Sequence, residues 1–221
     1  MILILLNIFC SIAFSRDISV LVIDTGVDTS HEEIKSHIPK SEDLNSFNYK
    51  DTNSHGTHIA GLILKNTCYR VKLYSCKYHF EFGEPKIQNA NDCFDKALVL
   101  KPDYVNFSSG GKGYDIYEKI VIEKILKNGT KVVVSAGNDG ENNPLYYPPA
   151  YGLKNLIIVG NLDEDRKRHK TSNYGFSNMV WEIGTKVFST LPNGNFGQMT
   201  GTSQATAIRT NRLLRDECDR N

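Results

Sequence analysis

The sequence predicts an α/β fold, a doubly wound and mostly parallel sheet flanked by helices. Three observations carry this. Short apolar, β-branched runs such as Ile18–Ile23 and Val132–Val134 lack polar alternation, as strands buried on both faces do. Longer segments of helical period lie between them. Polar Gly- or Asn-containing turns follow several of the strands, as in Asp24-Thr25-Gly26 and Gly137-Asn138.

The elements follow in order. Ile18–Ile23 is the first strand, with Asp24 at its carboxyl end, the edge where open α/β sheets build sites. Residues 29–50 read as polar loop with one helical turn near Glu32–Ser36. A helix begins near His55 and carries Ile59, Leu62 and Ile63. Its two glycines, Gly56 and Gly61, are poor helix formers and imply close packing against neighbouring backbone. Val71–Tyr78 is a strand and Gln88–Leu100 a helix with Ala90, Phe94, Ala97 and Leu98 on one side. Tyr104–Phe107 is a strand running into Ser108-Ser109-Gly110-Gly111. Ile116, Ile120, Val121, Ile125 and Leu126 mark an amphipathic helix closed by Gly129. Lys131–Ser135 and Leu156–Gly160 are further strands. From Ser172 to Met199 the pattern changes to short strands with turns such as Pro192-Asn193-Gly194, and Ser203 heads the last helix.

The chain has 221 residues, enough for one domain with a substantial core. Its 26 basic and 25 acidic residues nearly cancel, so nothing global points to nucleic acid or an anionic membrane. Residues 2–14 are almost all apolar, a length that suits a signal-peptide core better than a spanning helix. Ala13-Phe14-Ser15 then forms a small-x-small cleavage site that leaves Arg16 as the new terminus. The expectation is a signal peptide over 1–15 and a single domain over 16–221, exported to an extracellular or periplasmic space, without a stable membrane anchor and monomeric. Of five cysteines, Cys10 leaves with the signal. Cys68, Cys76, Cys93 and Cys218 remain, an even set that export permits to pair, in any of three connectivities. Cys76, in an apolar strand, can equally be a buried thiol.

The chemistry lies in three polar sites at element ends. A hydroxyl attacks a carbonyl only when a base takes its proton, and histidine suits that near neutral pH. A carboxylate that orients the imidazole completes the set. Asp24, His55 and Ser203 lie at a strand end or a helix start, so all three can converge on one sheet edge. Ser203 begins a helix, where free backbone N–H groups favour developing negative charge. Two other enzyme readings fail. Asp24-Thr25-Gly26 is also an aspartic-protease triplet, but that chemistry needs a second copy, which the chain lacks. Gly201-x-Ser203-x-Ala205 approaches a nucleophile elbow, but no histidine follows Ser203.

Asp24-Thr25-Gly26, His55-Gly56-Thr57-His58-Ile59-Ala60-Gly61 and Gly201-Thr202-Ser203-Gln204-Ala205 together resemble the three catalytic signatures of the subtilisin-like serine peptidases. Ser135-Ala136-Gly137-Asn138 is similar to the segment that supplies that family's side-chain oxyanion donor. Asn106-Phe107-Ser108-Ser109-Gly110-Gly111 is similar to the segment that pairs with bound peptide as an added strand. The resemblance runs from about Ile18 to Ala207. It implies a subtilisin-like fold and a secreted serine endopeptidase acting on protein or peptide substrates through an acyl-enzyme. In it Asp24 orients, His55 is base then acid, Ser203 attacks, and Asn138 stabilises the oxyanion. Ser108, Ser109, Gly110, Ser135, Ala136 and Gly137 would bind substrate. No cofactor is required. Asp28 and Asp51 read as loop carboxylates, and no recognisable site supports a structural calcium. His58 reads as structural.

The pattern departs from the family in four places. Ala207 stands where the family usually has proline, and the helix then carries Arg209 and Arg212 and stops early, so the domain is expected to be short at its C-terminus. There is little room between Leu64 and Val71 for the loop that often holds calcium. Only Arg16 and Asp17 separate the expected cleavage site from the first strand, leaving no folding pro-segment. Trp181-Glu182-Ile183-Gly184 lacks the Ala-Pro-Gly often found there. These departures motivate a second expectation, a catalytically weak or inactive protein that keeps the peptide-binding groove.

Overall fold

The computed structural model describes residues 16–39, 50–78 and 87–219, so the expected signal peptide falls outside the described residues. Six parallel strands form the sheet: β1 (Ile18–Asp24), β2 (Val71–Lys77), β3 (Tyr104–Phe107), β4 (Lys131–Ser135), β5 (Ile157–Leu162) and β6 (Met179–Ile183). Their order in space is β2-β1-β3-β4-β5-β6. The chain first steps one way from β1 and then returns to its other side. The β1/β3 boundary is therefore the switch point, where loops diverge and leave a crevice at the strands' carboxyl ends.

Alternation along β1 divides the core. Leu21 and Ile23 pack with Phe94 of α2 (Ile87–Leu100) and Ile122 of α3 (Ile116–Lys127) on one face. Ile18, Val20 and Val22 pack on the other, with Ile59 and Ile63 of α1 (His55–Leu64) and Leu214 of α4 (Thr202–Asp219). A strand with both faces covered needs no polar alternation, which explains the apolar runs in the sequence.

The region 172–199 resolves into β6 and an antiparallel hairpin, β7 (Val187–Leu191) and β8 (Asn195–Met199). The hairpin is bound to α1. Ser189 and Thr190 donate to the carbonyls of His58 and Thr57 at 2.8 and 2.7 Å. The fully buried His58 ring meets the carbonyls of Val187 and Gly197 at 3.1 and 3.2 Å. Gly61 lets this happen, since a Cβ there would lie 2.6 Å from Ser189 Oγ. His58 is thus a structural tether, as its sequence position suggests.

The two arginines on α4 find partners. Arg209 and Arg212, 31% and 59% exposed, both reach Glu182 on β6, at 3.7 and 3.2 Å. The end of α4 is fixed by a Cys68–Cys218 disulfide, and a second bridge joins Cys76 to Cys93, so Cys76 is bonded rather than merely buried. Among the described residues no helix is long and apolar enough to cross a membrane.

Candidate active site

Asp24 is the last residue of β1, and its side chain is buried. Its Oδ1 accepts from the Thr25 backbone N–H at 2.8 Å and meets Nδ1 of His55 at 2.7 Å. His55 is the first residue of α1, reached through Ser54, which takes a left-handed φ of 75°. Burial, the largest single influence, disfavours charge on His55. The Asp24 charge, the hydrogen bond to it and the Asp51 charge together outweigh burial and hold His55 above its ordinary value of 6.5.

What fixes the start of α1 is Asp51. One carboxylate oxygen accepts from the backbone N–H groups of Asn53 and Ser54, both at 3.0 Å, and from the Thr25 hydroxyl at 2.9 Å. The other accepts from Thr57 N–H at 2.9 Å and from its hydroxyl at 2.5 Å. Thr25 Oγ1 in turn accepts from Gly56 N–H at 2.9 Å. One carboxylate therefore ties the exit of β1 to the first turn of α1, which sets Asp24 against His55. Sequence reasoning takes Asp51 for a loop carboxylate. Its position just ahead of a helix start, where acidic residues satisfy free N–H groups, is the signal that could have found it. Asp28 is similarly engaged, by Ser30 and by the Asn193 N–H at 2.8 Å.

Ser203 is the second residue of α4. Its hydroxyl donates to the Ser108 carbonyl at 2.8 Å, and the Ser108 hydroxyl donates back to the Ser203 carbonyl at 3.2 Å. Asn106 Nδ2 donates to that Ser108 hydroxyl at 2.8 Å, and Asn106 Oδ1 accepts from Thr210 at 2.9 Å. A buried polar chain thus joins α4, β3 and the Ser203 turn. Asn138, just past β4, uses Oδ1 to accept from the Thr202 N–H at 3.0 Å and from its hydroxyl at 3.2 Å. Only an oxygen can face that N–H, so the amide NH₂ is the group left to offer to the cleft.

These residues share one cleft of about 240 Å³, lined by Asp24, His55, Asn138 and Ser203 with Ser108, Ser109 and Ser135. Tyr78 and Tyr146, which stand in no motif that singles them out, also line it. The Tyr78 hydroxyl donates to Ser109 Oγ, and burial with the nearby Asp24 charge pushes that phenol well above the usual tyrosine range. Of the six residues expected to bind substrate, Ser108, Ser109 and Ser135 line the cleft, while Gly110, Ala136 and Gly137 are not in its lining. Ala136 is fully buried, its N–H donates to the Val159 carbonyl and its own carbonyl accepts from Asn173, both at 3.0 Å. Gly110 and Gly137 pack against the Tyr146 ring.

The geometry provides an oriented histidine, a hydroxyl in the same cleft, and an amide with a helix N-terminus beside that hydroxyl. Such a set can carry out acyl transfer. Residues 15–212 match the model of the subtilase family. The chain is 32% identical over 210 residues to the major intracellular serine protease of Bacillus subtilis (strain 168), covering 86% of this chain and 65% of that protein. It is 31% identical over 206 residues to subtilisin E of the same organism, covering 86% of this chain and 52% of that protein. The chain therefore spans between about half and two thirds of the length of these relatives. Among solved structures, a cold-adapted subtilisin-like serine proteinase superposes with a TM-score of 0.78 at 22% identity, over 90% of this chain and 74% of that one. The protease domain of PatA gives 0.77 at 19% identity, over 94% and 83%.

Proposed function

The chain belongs to the subtilase family, and from that premise we propose that it is a serine endopeptidase in which Asp24, His55 and Ser203 form the triad and Asn138 supplies the oxyanion donor. The observation that carries this is the convergence of all four side chains in one cleft, with His55 held on Asp24 at 2.7 Å.

The mechanism follows from what each atom can do. The Ser203 hydroxyl leaves the Ser108 carbonyl and turns its proton to Nε2 of His55 as its oxygen attacks the peptide carbonyl. The carbonyl oxygen gains the negative charge and is stabilised by Asn138 NH₂ and the Ser203 N–H. Asp24 keeps the other imidazole proton on Nδ1 and stabilises the cation that forms. The C–N bond breaks as His55 returns its proton to the leaving amine, which leaves an ester on Ser203. Water, deprotonated by the same histidine, then hydrolyses that ester and restores the serine.

Export is part of the same proposal. Two disulfides suit an oxidising compartment, and the apolar run at residues 2–14 suits a cleaved leader. Labelling with a fluorophosphonate tests the enzymatic reading. Purified protein should label on one serine and hydrolyse casein, and Ser203→Ala should abolish both. Folded protein with intact disulfides that neither labels nor hydrolyses would leave the peptide-binding reading in its place.

A further inference from the structure

One aromatic ring in the cleft that holds Ser203 lies against two chain segments at once. A Cβ placed on Gly110, after β3, would lie 2.7 Å from Tyr146 Cε1 and 2.9 Å from Cζ. A Cβ on Gly137, after β4, would lie 3.0 Å from the same two atoms. The outer edge of the Tyr146 ring is therefore wedged against both chain segments where they leave the sheet.

The ring is held at both ends. Next to it, Tyr147 and Gly111 exchange two backbone hydrogen bonds, at 2.7 and 3.0 Å, while the Tyr146 carbonyl accepts from Ala150 at 2.8 Å. At its tip, the Tyr146 hydroxyl neighbours Ser135, whose own hydroxyl donates to the Ser109 carbonyl at 3.2 Å. Burial, the main influence, pushes the phenol up to about 12, so the ring stays neutral at any working pH.

The chemistry says which half of a substrate meets this ring. The leaving amine takes its proton from His55, so the leaving half lies on the Asp24 and His55 side of the cleft. The acyl half must lie opposite, toward Ser109, Ser135 and Tyr146. The whole cleft measures about 240 Å³ including its catalytic side, below the roughly 300–1,000 Å³ of pockets that enclose a drug-sized ligand. We propose that Tyr146 is a specificity-determining residue: its ring closes the recess between Gly110 and Gly137, so that the residue preceding the scissile bond must be glycine, alanine or serine.

This inference rests on the peptidase reading, and the experiment separates the two. Tetrapeptide p-nitroanilides differing only in the last residue, alanine or phenylalanine, are compared on wild type, Tyr146→Gly and Tyr146→Phe, each first checked for fluorophosphonate labelling. One methylene in a binding pocket changes kcat/KM by about 10–200-fold, so wild type should favour alanine by at least tenfold. Tyr146→Gly should raise the phenylalanine-to-alanine ratio at least tenfold. Tyr146→Phe, which keeps the ring and loses only the hydroxyl, should retain the wild-type preference. Wild type that labels yet cleaves after phenylalanine as well as after alanine overturns the inference, as does a labelled glycine variant with an unchanged ratio. If the glycine variant does not label, the preferences of wild type and Tyr146→Phe decide. Wild type that neither labels nor cleaves removes the peptidase reading itself, and this inference with it.

Discussion

Nδ1 of His55 and Oδ1 of Asp24 lie 2.7 Å apart, while the second oxygen of that carboxylate is buried with no hydrogen-bond partner among the described residues. Beside the Thr25 N–H, the imidazole is the carboxylate's one hydrogen-bond partner among the described residues, and the Asp24 charge favours the imidazolium against the opposing effect of burial. Because the His55 pKa is raised, the acid limb of kcat/KM should have its midpoint above pH 6.5. Asp24→Asn removes the charge and presents an amide donor to Nδ1, which forces the proton to Nε2. Activity should then fall by about 10⁴. A pH–rate profile of wild type with a midpoint below 6.5 would contradict this assignment. The stability effect has a defined sign. Folded His55 binds its proton more tightly than the unfolded chain does, so this stabilisation is complete below about pH 6.5. It is lost as pH rises through the raised value. The melting-temperature advantage of wild type over Asp24→Asn should therefore shrink between pH 6 and pH 9.

Asn138 should act on the transition state rather than on binding. Its oxygen is already held by Thr202 at 3.0 and 3.2 Å, so the amide is oriented before substrate arrives. Asn138→Ala should lower kcat by about 10²–10³, a figure that comes from subtilisin itself, with KM little changed. Steady-state kinetics on a peptide amide provide the check. A loss confined to KM would mean that Asn138 contacts the ground state instead.

How much of this was legible in the sequence depends on distance along the chain. Asp24, His55 and Ser203 stand at the ends of elements whose hydrophobic pattern is local, so both their positions and their convergence on one sheet edge could be read. The contacts that lock the site are not local. Glu182 meets Arg209 and Arg212 only because β6 lies beside α4, and no spacing in the sequence announces that pairing. Those two departures from the family pattern, the arginines on the last helix and the glutamate on β6, answer each other. Four cysteines allowed three pairings, and the fold selects Cys68–Cys218 and Cys76–Cys93 because it brings those Cα atoms to 5.9 and 5.7 Å. Tyr146 was invisible for the same reason, since its ring matters only where two strand exits come together.

Thr210 offers the most direct test of how α4 holds Ser203. It lies fully buried two helical turns beyond Ser203 and donates to Asn106 Oδ1 at 2.9 Å and to the Thr206 carbonyl at 3.1 Å. Asn106 passes this constraint through Nδ2 to the Ser108 hydroxyl, which donates to the Ser203 carbonyl. Thr210→Val keeps the shape and removes the donor, leaving Asn106 Oδ1 buried without its partner. That should cost about 1–3 kcal/mol of stability. If the chain also orients the nucleophile, kcat and the fluorophosphonate labelling rate should fall together while KM holds. Thr210→Ser, which restores the hydroxyl without the methyl, should recover the labelling rate more fully than the stability, because the lost methyl leaves a small cavity. A valine variant that loses stability but labels at the wild-type rate would assign Thr210 to the core alone and leave Ser203 positioned by the Ser108 and Asn138 contacts.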